Sequence, residues 1–293
     1  MRLFLLQGCG VSTMNQQIGV CSWSLRPRSP QALLDSLRQA DMDAVQLALS
    51  PIVHDPAAWG DAIEELRRAN IAILSGMMAM IGEDYSTLES IRRTGGVRPD
   101  STWPGNLQHA RDVARLAARA GINLVTFHAG FLPEDQTSHE RTIMLDRLAV
   151  VADVFGESDI DVALETGQER AATLLAALDD LAQSNVGVNF DPANMILYGQ
   201  GDPVEALRML APHVRQIHVK DAMPAEEPGK WGREVAAGRG AVDWPAFFTV
   251  ASQIVPPVNF VIEREARDER LDDVVAARDM IRRHAWAIGG QSA

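Results

Sequence analysis

From residue 18 to residue 287, short β-branched runs alternate with amphipathic helical runs eight times, without a break in composition. Strands separated by helices must lie parallel, because each is reached through a crossover. Eight such units closing on themselves give a (β/α)8 TIM barrel, and 293 residues suit one such domain. Strands are expected at Ile18–Trp23, Ala44–Leu49, Ile71–Gly76, Asn123–His128, Asp161–Glu165, Gly187–Asp191, Val214–Lys220 and Asn259–Glu263. Helices are read from apolar residues at three- and four-residue spacing, such as Leu33, Leu34 and Leu37 within Pro30–Ala40. The same spacing gives Ala57–Arg68, Asn106–Ala120, Glu140–Val154, Glu169–Ala182, Pro203–Leu210 and Leu271–Trp286, with another helix capped by Asp243. An open doubly wound sheet is the competing topology. It would want a glycine-rich turn after the first strand, and Gly238-Arg239-Gly240 lacks the third glycine of such a turn.

Two stretches break the rhythm, Met77–Trp103 and Asp221–Val242. Connections that long are usually functional, so substrate recognition is expected there. Residues 1–17 read as a disordered extension, 18–287 as the barrel and 288–293 as a tail. Leu3-Phe4-Leu5-Leu6 is shorter than the roughly 7–15 apolar residues of a secretory signal core, and Met14 is an alternative start. Leu6-Gln7-Gly8-Cys9 resembles a lipoprotein cleavage site only faintly. Cys9 and Cys21 form no disulfide framework, which points to a reducing, cytoplasmic setting.

A net charge of −12 argues against nucleic-acid and anionic-membrane partners, which attract basic patches. No apolar run approaches the roughly 20 residues of a membrane helix. The chain leaves a homo-oligomer open.

Four strands end in a metal-ligand type of residue: Val-Ala-Leu-Glu165, Val-Asn-Phe-Asp191, Gln-Ile-His218 and Phe-Val-Ile-Glu263. In a parallel barrel all strand carboxyl ends face one mouth. Three carboxylates and one imidazole there make a hard, mostly oxygen site for one divalent cation, Mn²⁺, Mg²⁺ or Co²⁺, with Zn²⁺ also compatible. The two-residue period of the strands puts Glu165 on one face with Ala163, Asp191 with Asn189 and Gly187, His218 with Gln216 and Lys220, and His128 with Thr126. Bulky apolar residues take the opposite face. A purely structural barrel would carry branched apolar side chains inside.

Second-tier candidates surround these. His128, Asn194 and Lys220 are placed to bind a substrate, and Lys220 to polarise it. Trp23, Glu83, Trp231 and Arg233, at a strand end or in the long loops, are candidates for covering it. Met77, Met78 and Met80 read as gap-filling packing.

The chain resembles the xylose isomerase-like TIM barrels, specifically the sugar phosphate isomerase/epimerase group. The matching segments are Val125-Thr-Phe-His-Ala-Gly130, Ala163-Leu-Glu-Thr-Gly167, Asn189-Phe-Asp-Pro-Ala-Asn194, Ile217-His-Val-Lys-Asp221 and Val261-Ile-Glu-Arg-Glu265. The resemblance implies that Glu165, Asp191, His218 and Glu263 bind one divalent metal. It further implies that Glu165 and Glu263 act as acid and base on a small-molecule carbohydrate. A lyase or dehydratase acting on a keto-sugar or inosose with the same site is the close alternative. An endonuclease IV-like nuclease is the remote one: it would carry three zinc ions, a histidine where Asn194 stands, and an Asp-x-His motif that is missing from Asp221–Val242.

Overall fold

The computed structural model describes residues 16–289 apart from Pro228 and Glu269, with residues 285–289 as backbone alone. The expected N-terminal extension therefore lies outside the described residues except for Gln16 and Gln17. Gln16 donates from Nε2 to the Val258 carbonyl at 2.7 Å, and the Gln17 N–H donates to Asn259 Oδ1 at 2.9 Å.

Eight parallel strands close into a barrel: β1 (Ile18–Cys21), β2 (Ala44–Ala48), β3 (Ala72–Met77), β4 (Leu124–Phe127), β5 (Asp161–Glu165), β6 (Val186–Phe190), β7 (Val214–Val219) and, after a hairpin of β8 (Asp221–Met223) with β9 (Arg233–Val235), β10 (Asn259–Ile262). The barrel runs β1-β10-β7-β6-β5-β4-β3-β2, and the separate hairpin is antiparallel. The helices are α1 (Pro30–Gln39), α2 (Ser50–His54), α3 (Pro56–Trp59), α4 (Ala62–Arg68), α5 (Leu88–Thr94), α6 (Trp103–Arg119), α7 (His139–Gly156), α8 (Ala171–Leu181), α9 (Pro192–Leu197), α10 (Pro203–Leu210), α11 (Trp244–Ala251) and α12 (Leu271–Gly289). The fold is a single-domain (β/α)8 barrel.

The two-residue period holds. Val125, Phe127, Val162, Leu164, Val188, Phe190, Ile217 and Val219 join one buried cluster with helix residues such as Leu37, Val151, Leu174 and Leu207. The interior face instead carries a polar layer, Gln46, Ser75, Thr126, Asn189 and Gln216, each at most 1% exposed. Leaving such groups unpaired would cost roughly 1–3 kcal/mol apiece, and they bond to one another and to the ligands above them.

Several elements differ from the sequence expectation. The chain leaves β1 at Cys21 and enters a 3₁₀ turn, Ser22–Leu25, so Trp23 is not a strand residue. The expected helix Ala57–Arg68 is divided into α3 and α4 around Gly60-Asp61, and α2 precedes it. Asp191 caps α9 by accepting the N–H groups of Ala193 and Asn194, and Pro192 starts the helix. The long excursion contains α5, and the second long loop contains β8 and β9.

That second loop is clamped at both ends. The buried Asp221 carboxylate accepts from the N–H groups of Ala222, Gly238, Gly240 and Val242 and from Trp244 Nε1, at 2.9–3.2 Å. Gly240 is required there, since a Cβ would lie 2.1 Å from Asp221 Oδ1. Within the loop, Glu234 accepts the N–H groups of Glu265 and Ala266 and pairs with Arg264.

Candidate active site

Glu165 closes β5, Asp191 and Glu263 each follow their strand by one residue, and His218 is the second-last residue of β7. All four are at most 5% exposed. One donor atom from each lies within 4.8 Å of the others. His218 Nδ1 is 3.6 Å from Glu165 Oε1, 3.7 Å from Asp191 Oδ2 and 3.3 Å from Glu263 Oε2. Both His218 Nδ1 and Asp191 Oδ2 are buried without a hydrogen-bond partner. Two orphaned polar atoms facing one another inside a barrel are costly, and a cation between them removes the cost. The oxygen-rich donor set fits a divalent ion.

The interior layer orients these ligands. His218 Nε2 lies 2.7 Å from Gln46 Oε1, which makes Nε2 a donor and turns Nδ1 toward the three carboxylates. Gln46 in turn donates to Thr126 Oγ1 at 2.8 Å. Ser75 donates to Gln216 Oε1 at 2.6 Å, Gln216 to Asn189 Oδ1 at 3.1 Å, and Asn189 to Glu165 Oε2 at 3.2 Å. Asn194 donates to Glu165 Oε1 at 3.0 Å. That approach needs Gly167, whose φ is +129° and whose Cβ would lie 2.3 Å from Asn194 Cβ. Glu263 accepts from Trp23 Nε1 at 2.8 Å and from Lys220 Nζ at 3.0 Å. Lys220 also reaches Glu265 Oε2 at 2.7 Å and Asn194 Oδ1 at 3.5 Å.

The electrostatics follow from burial opposed by charge. Burial raises Asp191 to about 6 against the pull of Lys220. Burial works the same way on Glu263, but Lys220 and His218 outweigh it and hold that carboxyl well below the usual range. Glu165 is lowered despite its burial, by His128 and His218. Burial disfavours charge on His218, yet Cys21, Glu165 and Glu263 raise it well above the ordinary histidine value. His128 is raised as well, Glu165 and Glu83 overcoming its burial.

Beside the cluster lies a cavity of about 590 Å³. Of the second-tier candidates, Trp23, Glu83, His128, Asn194, Lys220 and Trp231 line it. His128 Nε2 is 3.7 Å from Glu165, and Glu83 accepts the Gly96 N–H at 3.0 Å. Arg233 does not reach the cavity. It is exposed on β9, and the strand's two-residue period turns its neighbour Glu234 inward instead. Met78 and Met80 pack into the core as expected, while Met77 borders the cavity.

Sequence reasoning missed Gln46, Ser50, Tyr85, Tyr198, Glu234 and Glu265. One signal was available: the chain has two tyrosines, and both line this cavity. Tyr198 packs 4.9 Å from Trp231 and Tyr85 lies 6.2 Å from His128, between ring centroids. His109 was also overlooked. It is buried behind Ser50, with Nε2 2.8 Å from Ser50 Oγ, and stacks on His54 at the cavity rim.

The family described as xylose isomerase-like TIM barrel matches residues 34–284. A xylose isomerase domain protein from Planctomyces limnophilus superposes with a TM-score of 0.82 at 30% identity, covering 94% of this chain and 98% of that one. The probable 3-DHS dehydratase AsbF, involved in petrobactin synthesis in Bacillus anthracis, gives a TM-score of 0.70 at 16% identity over 91% and 99% of the two chains. An L-ribulose 3-epimerase gives 0.68 at 16% identity over 95% and 98%. At that identity these last two share the fold. Among curated sequences, the uncharacterised Escherichia coli protein YihM is 26% identical over 140 residues, 47% of this chain and 42% of that protein. The chain thus spans less than half the length of that relative.

Proposed function

The chain belongs to the xylose isomerase-like TIM barrel family, and on that premise we propose that it is a metal-dependent isomerase or epimerase of a sugar or keto-sugar. The observation that carries this reading is the pair of orphaned atoms, His218 Nδ1 and Asp191 Oδ2, enclosed with Glu165 and Glu263 at the barrel mouth. These four residues would hold one Mn²⁺, Mg²⁺ or Co²⁺ ion, with Zn²⁺ also accommodated by the donor set. A divalent ion bound there supplies positive charge to a substrate carbonyl oxygen, which makes the proton on the neighbouring carbon acidic enough to remove.

Glu165 and Glu263 stand three strands apart around the barrel and serve as base and acid. Their partners differ. Glu165 accepts from two neutral amides, whereas Glu263 accepts from an indole N–H and an ammonium. The more weakly stabilised carboxylate is the better base, so Glu165 removes the proton. Glu165 then carries that proton and can return it to the adjacent carbon, whereas Glu263, held ionised by Lys220 and His218, must first take up a proton from solvent before it can protonate the opposite face. Lys220, raised well above its ordinary value although burial disfavours its charge, stays an ammonium and orients Glu263. Delivery to the opposite face of the same carbon gives epimerisation, and delivery to the adjacent carbon gives aldose–ketose isomerisation.

A second reading, elimination of a β-hydroxyl from a keto-sugar, is favoured by one specific observation. His128 Nε2 stands 3.7 Å from Glu165, and Glu165 and Glu83 favour its charged form against its burial, which suits it to protonate a leaving hydroxyl.

The test is proton exchange in D₂O, read by NMR, with metal-replete protein and a panel of ketoses, keto-acids and their phosphates. We expect deuterium at the carbon beside the carbonyl, and at least a hundredfold slower exchange in Glu165→Gln and in Glu263→Gln. Full exchange in both variants would refute the mechanism. Loss of water from a keto-sugar, slowed by His128→Gln, would select the second reading.

A further inference from the structure

The walls of the cavity limit the charge its occupant can carry. Lys220 is the one lysine or arginine among the described residues that lines it. All three of its N–H donors are already directed, to Glu263, Glu265 and Asn194. Of the two histidines in the lining, His128 is flanked by Glu165 and Glu83, and His54 sits at the exposed rim, stacked on His109. Against these stand the carboxylates of Glu83, Glu234 and Glu265 in the same lining, beyond the metal-ligand cluster. With a dication on three carboxylates, the centre retains a charge of about −1, which Lys220 offsets. Glu234 is paired with Arg264 and Glu265 with Lys220, so among the described residues the lining adds Glu83 as a further acidic group and no lysine or arginine free to meet an anion. Sites that recognise phosphate or carboxylate instead present arginine forks, free ammonium groups or clustered backbone N–H donors.

What the wall does offer suits hydroxyl groups. Carboxylates accept hydrogen bonds from hydroxyls, and the rings of Trp23, Tyr85, Tyr198 and Trp231 give flat apolar faces for C–H surfaces. Ser50 adds a donor. Its Oγ accepts the Ala79 N–H at 3.0 Å, and it borders the cavity. Burial together with His54 pushes His109 down to about 4, so that ring is neutral behind Ser50. If His109 Nε2–H donates to Ser50 Oγ, the serine proton is free to point at a ligand oxygen. The neighbouring cavity does contain Arg26 and Arg28, but it lies across the shared wall of Trp23, Ala48 and Pro51, and Arg26 pairs there with Asp268.

We propose that the substrate is uncharged: a free polyhydroxylated carbonyl compound of the ketose type, rather than a phosphate ester or a sugar acid. This rests on reading the central cluster as the reacting site.

The experiment compares matched pairs, D-fructose with fructose 6-phosphate and D-ribulose with ribulose 5-phosphate, on metal-loaded protein. Calorimetry gives the dissociation constants, and deuterium exchange reports reaction. We expect the free sugar to bind at least tenfold more tightly than its phosphate. The gap should narrow in Glu265→Gln, which removes a negative charge and releases one N–H of Lys220. Raising the salt concentration should narrow it too, as screening weakens repulsion. A phosphate that binds as tightly as its free sugar, or more so, and still exchanges its proton would overturn the inference and leave the site reading intact. Loss of that binding in Arg28→Ala would then place the phosphate in the outer cavity. Neither binding nor exchange in any pair would overturn the site reading and the inference with it.

Discussion

The affinity of the central cluster for a divalent ion should climb steeply with pH, at a slope set by two named protons. In the metal-free protein His218 is raised well above its ordinary value, so it carries a proton through the neutral range. A metal on Nδ1 must displace that proton. Asp191, raised to about 6, must lose a second one below that pH. Glu165 and Glu263 are lowered and contribute none. The logarithm of the affinity for Mn²⁺ should therefore rise by about one per pH unit above pH 6, and by nearly two just below it. Between pH 5 and 8 this amounts to roughly three to four decades. Competition with a chromophoric chelator measures the affinity, and calorimetry in buffers of different ionisation enthalpy counts the protons directly. In His218→Gln the affinity drops and the slope falls by about one, because that proton no longer exists. The stability of the metal-free protein carries the matching sign. A carboxyl whose folded pKa lies above its unfolded 3.8 favours the fold below that value, and the contribution is lost as pH rises through about 6. Bound metal should reverse this loss. An affinity independent of pH, with no protons released, would show that His218 Nδ1 and Asp191 Oδ2 are not ligands.

Two structural perturbations test what supports the site. Gly167→Ala forces a side chain onto a backbone with φ of +129° and onto Asn194, which should cost roughly 1–3 kcal/mol from the backbone alone and weaken metal binding as Asn194 leaves Glu165; an unchanged melting temperature and affinity would refute this. Asp221→Ala leaves five donors without their acceptor, which should cost roughly 3–5 kcal/mol and lower the melting temperature by roughly 6–20 °C in calorimetry. A drop of less than 2 °C would mean that water replaces the clamp with little loss.

The parts of this molecule legible from sequence are those governed by local pattern. Strand β5 matches its expected bounds, and α10 does too, because a two-residue or four-residue period decides burial within a few positions. The strand ends carrying Glu165, Asp191, His218 and Glu263 were readable for the same reason. Less legible was what depends on partners far along the chain. Glu234 lines the cavity because β9 pairs with β8 and because Glu265 and Ala266 donate to it from beyond β10. No local pattern separates it from Arg233, which therefore stood as the candidate. Gln46 and Ser75 look like ordinary strand residues until barrel closure brings them to His218 and Gln216.

That interior layer explains why the barrel departs from apolar filling. A core of leucine and valine at Gln46, Ser75, Thr126, Asn189 and Gln216 would pack without any polar atom to satisfy. It would also leave the ligands free to rotate. The imidazole of His218 could turn Nδ1 away from the carboxylates, and Glu165 could swing between rotamers. The chain of bonds from Ser75 through Gln216 and Asn189 to Glu165 fixes one ligand, and the bond to Gln46 fixes the ring orientation of another. Each net hydrogen bond contributes only about 1 kcal/mol to stability, so the layer is a poor substitute for apolar packing on stability grounds. Its advantage lies in holding four donors in place before a metal or a substrate arrives, where a displacement of about 1 Å can cost a hundredfold in rate. The sequence departs from the most stable barrel interior at the level just beneath the four ligands, and the departure is accounted for by what those ligands must hold still.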